Sequence, residues 1–133
     1  MKNRIKRFEP YCFWILFSCA ALLGCTKNKD KVKVESLIGE WNWSYTRGNE
    51  KGDAYDVNPN TLNMSVAYIF NKDSVRILVN GAENESFPFH FSGDTLNYGE
   101  EKVFFRVSDT KDSLIFRNAL CCEDIFEKAF IRK

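Results

Sequence analysis

The chain has 133 residues, 44% hydrophobic and 15% aromatic, with 19 basic and 18 acidic residues and a formal net charge of +1. A balance this even argues against a nucleic-acid partner, which asks for a strongly basic face. The length allows a single modest core rather than several domains.

The first segment to read is the N-terminus. Lys2, Arg4, Lys6 and Arg7 precede an apolar stretch from Tyr11 to Gly24, a basic start that stays in the cytoplasm followed by a run the translocon accepts. That run is shorter than the roughly 20 residues a membrane-spanning helix needs. It closes on Leu22-Leu23-Gly24-Cys25, which resembles a bacterial lipoprotein signal. The resemblance implies cleavage after Gly24 and a new N-terminal Cys25 carrying thioether-linked diacylglycerol and an N-acyl chain such as palmitate. Leu16-Phe17-Ser18-Cys19 is a poorer match because bulky Phe17 sits beside the cut; an uncleaved signal anchor is the other alternative. The implied address is the cell envelope. Thr26, rather than an aspartate, follows the cysteine, so by the same resemblance the outer membrane is expected, with periplasmic and surface orientation both open. Stable anchoring takes more than one acyl chain, at roughly 0.8 kcal/mol per buried CH2, and the three-chain modification meets that need.

Three regions follow: residues 1–24 as signal peptide, 25–34 as lipidated cysteine with a polar tether, and 35–133 as the folded domain. The tether Thr-Lys-Asn-Lys-Asp-Lys-Val-Lys, residues 26–33, has no apolar periodicity and reads as a solvated linker. From Cys25 onward the chain carries 15 basic and 17 acidic residues.

In the domain the apolar period is two. Trp41, Trp43 and Tyr45 alternate with Asn42, Ser44 and Thr46, which predicts a first strand with an aromatic face and a polar face. Leu62, Met64, Val66, Tyr68 and Phe70 predict a second, followed by Val75-Ile77-Val79, Phe87-Phe89-Phe91, a short strand at Leu96 and Tyr98, Val103-Phe105-Val107, Leu114-Phe116 and a last strand from about Asp124 to Arg132. A short helical turn at Val34 to Ile38 precedes them. The connections Asn71-Lys72-Asp73, Asn80-Gly81, Ser92-Gly93-Asp94 and Ser108 to Asp112 carry the turn residues of hairpins. One long connection, from about Gly48 to Asn60, reads as a flap over one end of the sheet.

Eight antiparallel strands leave two exposed edges unless the last pairs with the first. The expected fold class is therefore all-β, a small antiparallel up-and-down barrel of about eight strands, with a sandwich of two four-stranded sheets as the alternative. A barrel of this size encloses a space that side chains fill or that holds one small ligand.

Leu37-Ile38-Gly39-Glu40-Trp41 places Gly-x-Trp at the opening of the first strand after a turn. This resembles the lipocalin signature, and the domain is similar in length and strand order to lipocalin-like domains of small bacterial lipoproteins, especially those of Bacteroidetes. The resemblance implies that Gly39 permits a tight approach to the strand, that Trp41 plugs the closed end, and that a basic residue of the last strand, here Arg132, packs over that indole. A guanidinium on an indole face contributes about 0.5–2 kcal/mol. The chain departs from true lipocalins in being shorter and in lacking the Thr-Asp-Tyr block and a helix after the final strand.

The other chemical candidates are few. Cys121 and Cys122 are adjacent, in a compartment where disulfides persist, and a bridge between neighbours is strained because their Cα atoms stand about 3.8 Å apart against the usual 5.5 Å. They read as paired thiols, a strained bridge or a redox pair. A metal site built on them with Glu123 and Asp124 lacks soft ligands, since His90 is the one histidine. His90 alternates with the Phe87-Phe89-Phe91 face and is expected to point outward; no nucleophile-elbow serine or glycine-rich phosphate loop accompanies it. No enzyme, metal or cofactor is expected.

Two functions remain open. In one, an envelope lipoprotein takes a small apolar or amphipathic molecule at the barrel's open end, with Trp43, Tyr45, Tyr68 and Phe89 near the cavity and the Gly48 to Asn60 loop as its rim. In the other, the barrel is solid and serves as a protein-interaction module, an inhibitor or an envelope-assembly accessory. Packing separates them: less than about 300 Å3 open inside would remove the ligand site.

Overall fold

The computed structural model describes residues 29–50, 52–119 and 125–133. The leader, Cys25, Cys121 and Cys122 lie outside the described residues. Residues 29–37 are helical (α1), so the helix expected as a short turn at Val34 to Ile38 begins earlier, inside the segment read as a solvated linker; a compact unit spans Val34–Lys133. Within it run β1 (Gly39–Glu50), β2 (Asp53–Val57), β3 (Val66–Phe70), β4 (Ser74–Val79), β5 (Ala82–Ser92), β6 (Thr95–Tyr98), β7 (Glu101–Val107), β8 (Ser113–Asn118) and β9 (Ile125–Arg132), with one helical turn, α2 (Pro59–Leu62), between β2 and β3.

Every strand pair is antiparallel, and β1 closes the sheet by pairing with both β3 and β9. Strands β1 and β3 to β9 thus form a closed eight-stranded barrel, the expected fold class, and closure leaves no edge among those eight. The turn chemistry follows the sequence. Asn80 and Gly81 take φ of 52° and 80° between the paired residues Val79 and Ala82, as a tight hairpin between right-twisted strands requires.

The connection between the first two barrel strands departs from expectation. The segment from Gly48 to Asn60 is not a plain flap. β1 continues to Glu50 and turns back as β2, which pairs with it from Thr46↔Val57 to Glu50↔Asp53. Leu62 and Met64 are not in a strand. Leu62 ends α2, whose Asn58 cap accepts from the Asn60 and Thr61 amides, whose first turn begins with Pro59, and which stops at Asn63 in the left-handed region. An Asn cap before a proline in the first turn is a helix start, and here it overrides the period-two pattern. β2 and β3 therefore lie along the same edge of β1, and residues 58–65 make an excursion away from it where Trp43, Ser44 and Tyr45 lack partners on that side.

The opposite edge of β1 carries a bulge: Trp43 faces Phe130 but Tyr45 faces Ala129. The extra residue, Ser44, reverses the inward and outward phases of the strand beyond it. In the middle of the barrel Tyr68, Phe70, Tyr98, Phe116 and Phe130 pack ring on ring, with centroids 4.8 Å apart for Tyr68 and Phe130 and 5.1 Å for Phe116 and Phe130. These contacts fill the waist.

Candidate functional site

At one end the barrel is sealed. Leu37 and Trp41 are fully buried, and the Trp41 indole Nε1 donates to the Leu37 carbonyl at 2.7 Å, so α1 and β1 cap each other. The Arg132 guanidinium lies 4.2 Å from the Trp41 ring centre. It also donates to three carbonyls: Nε to Lys111 at 2.6 Å, Nη1 to Ile38 at 2.9 Å and Nη2 to Ser36 at 2.9 Å. One planar fork thus ties the segment before β1, the β7–β8 turn and β9 together. Gly39, Trp41 and Arg132 are brought into one cluster here, and its chemistry is closure.

The opposite end is open. Under the 58–65 excursion lies a recess of about 290 Å3 lined by Trp43, Thr46, Val57, Leu62, Met64, Val66, Tyr68, Lys128 and Phe130. A second, of about 480 Å3, lies beside the β6–β7 turn and is lined by Tyr68, Ile77, Glu85, Phe87, Tyr98, Lys128 and residues 99–101. Tyr68 and Lys128 belong to both. The first recess is almost wholly apolar apart from Lys128 and Thr46, whose hydroxyl accepts from Trp43 Nε1 at 2.9 Å. The second joins aromatic walls to a carboxylate rim of Glu85, Glu100 and Glu101, all exposed.

Two further polar side chains line the second recess, Tyr98 and Lys128. Tyr98 is 3% exposed, and its hydroxyl is buried without a hydrogen bond of good geometry, although the Tyr68 hydroxyl is close enough to influence it. Burial pushes both phenols up, Tyr98 far beyond the ordinary range, so both are neutral donors at physiological pH. Lys128 is half-buried, and its ammonium lies 5.3 Å from the Phe126 ring centre; among the described residues it forms no ion pair.

Of the four residues expected near the cavity, Trp43 and Tyr68 line it. Tyr45 does not. The Ser44 bulge turns it to the outer wall, where its hydroxyl donates to Glu127 Oε1 at 3.0 Å. Arg47 binds the same oxygen at 2.7 Å, and Arg117 holds Oε2 through Nε at 2.9 Å and Nη2 at 2.7 Å. These donors, Arg117 foremost, keep the Glu127 carboxyl below the usual carboxylate range. Phe89 is also displaced from the expected place. It lies opposite Tyr98 in the ladder but packs its ring on Phe70 at 5.7 Å and Phe91 at 5.9 Å, while Phe87 takes the place at the recess. β5 pairs with β4 as far as Pro88 and with β6 from Phe89 to Ser92, so its inward residues serve different levels.

Lys128 and Tyr98 were missed as site residues. Lys128 had a visible signal: it interrupts the inward phase of Phe126, Lys128 and Phe130, and a cation on an otherwise apolar face is out of place unless it has work there. Tyr98 had none, because whether a phenol finds a partner depends on strands distant in sequence. His90 is exposed, and among the described residues no group of three or more His, Cys, Asp or Glu is placed to hold a metal ion. No described helix is long and apolar enough to cross a membrane.

No protein-family model matches the chain, and no curated protein matches it. Among solved structures it is similar to a de novo designed fluorescence-activating β-barrel, at 12% identity and a TM-score of 0.39 over 75% of this chain and 96% of that one. A redesigned β-barrel is also similar, at 12% identity and a TM-score of 0.36 over 75% of this chain and 94% of that one. The barrel assignment itself stands on the strand pairing described above.

Proposed function

We propose that this chain is a lipid-anchored envelope protein, attached through Cys25 and most at home on the outer membrane, whose barrel takes a small apolar or amphipathic molecule at its open end without chemical turnover. The observation that carries the ligand reading is the apolar recess beneath the 58–65 excursion, bounded by Trp43, Met64, Val66 and Tyr68. At about 290 Å3 it falls just short of the roughly 300 Å3 that a ligand site asks for, and the recess of about 480 Å3 beside the β6–β7 turn, which shares Tyr68 and Lys128 with it, adds the remaining open space. The ligand is therefore short, and most of its binding free energy comes from covering apolar surface at roughly 25 cal/mol per Å2 before ordering costs.

The packed ring cluster at the waist favours a second reading, a solid barrel acting as a protein-interaction module. Titration separates the two: a short-chain alcohol such as decanol should bind the protein saturably, and Val66→Trp, which fills the recess, should abolish that binding. Saturable binding unaffected by Val66→Trp, or none at all, would leave the interaction reading. The anchor has its own test. Cells labelled with a clickable fatty acid should mark the wild-type protein and leave Cys25→Ala unmarked; equal labelling of both removes the lipoprotein assignment.

A further inference from the structure

The outer wall of the barrel carries an arrangement that closure alone does not call for. Residues directly opposite in a ladder share a face, so Phe104 of β7, Arg117 of β8, Glu127 of β9 and Arg47 of β1 form one outward row. Arg106, Ile115 and Tyr45 belong to the next. On these two rows of the four strands Glu127 is the sole carboxylate, and it is occupied: Arg117, Arg47 and Tyr45 bind both its oxygens and leave its side chain 11% exposed. The arginines that hold it stay largely exposed, as are Lys102 and Arg106. Asp56 of β2 flanks Arg47 at the far edge, so the uncompensated positive charge centres on Arg106 and Arg117. Among these cations stand Phe104, 48% exposed, and, one row beyond Ile115, Ile131, 55% exposed. The Ser44 bulge delivers Tyr45 to the same wall, where the Arg47 guanidinium lies 5.1 Å from its ring centre. Arginine and aromatic rings with no free carboxylate between them are the composition of an interface core rather than of a solvated face.

We propose that this wall docks an extended acidic segment of a partner protein, whose carboxylates meet Arg106 and Arg117 and whose apolar side chains cover Phe104, Ile115 and Ile131. The surface lies outside the barrel, so the proposal holds whether or not the open end takes a ligand. Four strands about 4.8 Å apart are crossed by an extended segment of about six residues. Charge and shape select that occupant over others. A second copy of this chain, docked about a two-fold axis, would press arginine on arginine. A flat lipid surface meets only part of a wall made by four of the eight barrel strands, and an anionic polysaccharide brings no apolar group to Phe104.

The test uses full-length protein in phosphatidylcholine nanodiscs, with empty nanodiscs as the blank, and a fluorescein-labelled peptide in which Asp and Glu alternate with Leu and Phe, read by fluorescence polarisation. Two control peptides carry Lys in place of the acids or Ser in place of the apolar residues. The acidic peptide should bind saturably, the Lys peptide should not bind, and the Ser peptide should bind weaker by about fivefold or more. Arg106→Glu and Phe104→Ser should each weaken binding roughly three- to tenfold, and added salt should weaken it in the wild type. Lys72→Glu, between β3 and β4, changes the net charge equally and should leave affinity within a factor of about two. Arg106 and Phe104 are exposed, so both variants keep the fold, which circular dichroism checks. Binding of the Lys or Ser peptide as tight as that of the acidic one, or affinity unchanged in both Arg106→Glu and Phe104→Ser, would overturn the proposal. Failure of the acidic peptide to bind would overturn it too: phosphatidylglycerol vesicles bound by the wild type and not by Phe104→Ser would then assign the wall to a membrane surface, and dimers that Phe104→Ser dissociates would assign it to a second copy.

Discussion

At Gly39 the backbone takes φ of +133°, and a Cβ built there would stand 2.9 Å from Arg132 Nη1. An alanine would be strained twice, by its own backbone and against a guanidinium held by three carbonyls. Gly39→Ala should cost about 1–3 kcal/mol, read as a lower urea midpoint with an unchanged slope. Glu127 governs a different dependence. Its folded pKa lies below the unfolded value, about 4.3, so its carboxylate contributes stability above that pH and loses it as pH falls through the folded pKa. Asp112, whose carboxylate accepts from the Ser108 hydroxyl at 2.7 Å while the Thr110 hydroxyl donates to that same Ser108 oxygen, is lowered in the same direction. Unfolding free energy should therefore hold steady from neutral pH to about 5 and fall below it, and Glu127→Gln should show a shallower fall in acid denaturation curves.

Among the elements, α2 has the largest consequence for its size. Four residues long and with none buried, it persists because Asn58 accepts from two amides while the Thr61 hydroxyl accepts from the Asn58 amide at 2.8 Å. Asn58→Ala should cost about 0.5–2 kcal/mol and raise amide exchange between residues 60 and 64, with β7 and β8 unaffected. If exchange rises evenly through the barrel, the excursion is not an independent unit and the recess beneath it is not held by this cap. The Asn-Pro pair was readable as a helix start, but the alternation of Leu62, Met64 and Val66 pointed to a strand. The cap prevailed because it satisfies amides that the β1 edge does not reach. The bulge at Ser44 left no mark of its own in the sequence: Trp43, Ser44 and Tyr45 continue an unbroken alternation, and only the register of β9 shows where that alternation slips.

For the whole molecule, closure and filling are coupled. Phe116 is fully buried and touches Tyr68, Phe70, Tyr98 and Phe130, so one ring from β8 supports strands around the circumference. Phe116→Ala should cost about 3–5 kcal/mol, a large share of the roughly 5–15 kcal/mol available to a domain. Thermal unfolding should move down by many degrees, with near-UV circular dichroism lost in the same transition. A small shift would mean that the waist relaxes to fill the gap, and that the barrel wall rather than its rings holds the shape.

The sequence by itself determined the all-β class, the short hairpins and the sorting of apolar residues, because strand period and turn chemistry are written within a few residues of each other. Trp41 and Arg132 were legible for a related reason, since a resemblance named both and the ends of β1 and β9 pair directly. Tertiary structure alone decided that Tyr45 binds Glu127 outside the barrel, that Phe89 serves the packed aromatic row, and that Tyr98 and Lys128 meet at a recess. Each depends on the register between strands far apart in the chain, and a one-residue slip in register exchanges the inside of a sheet for the outside.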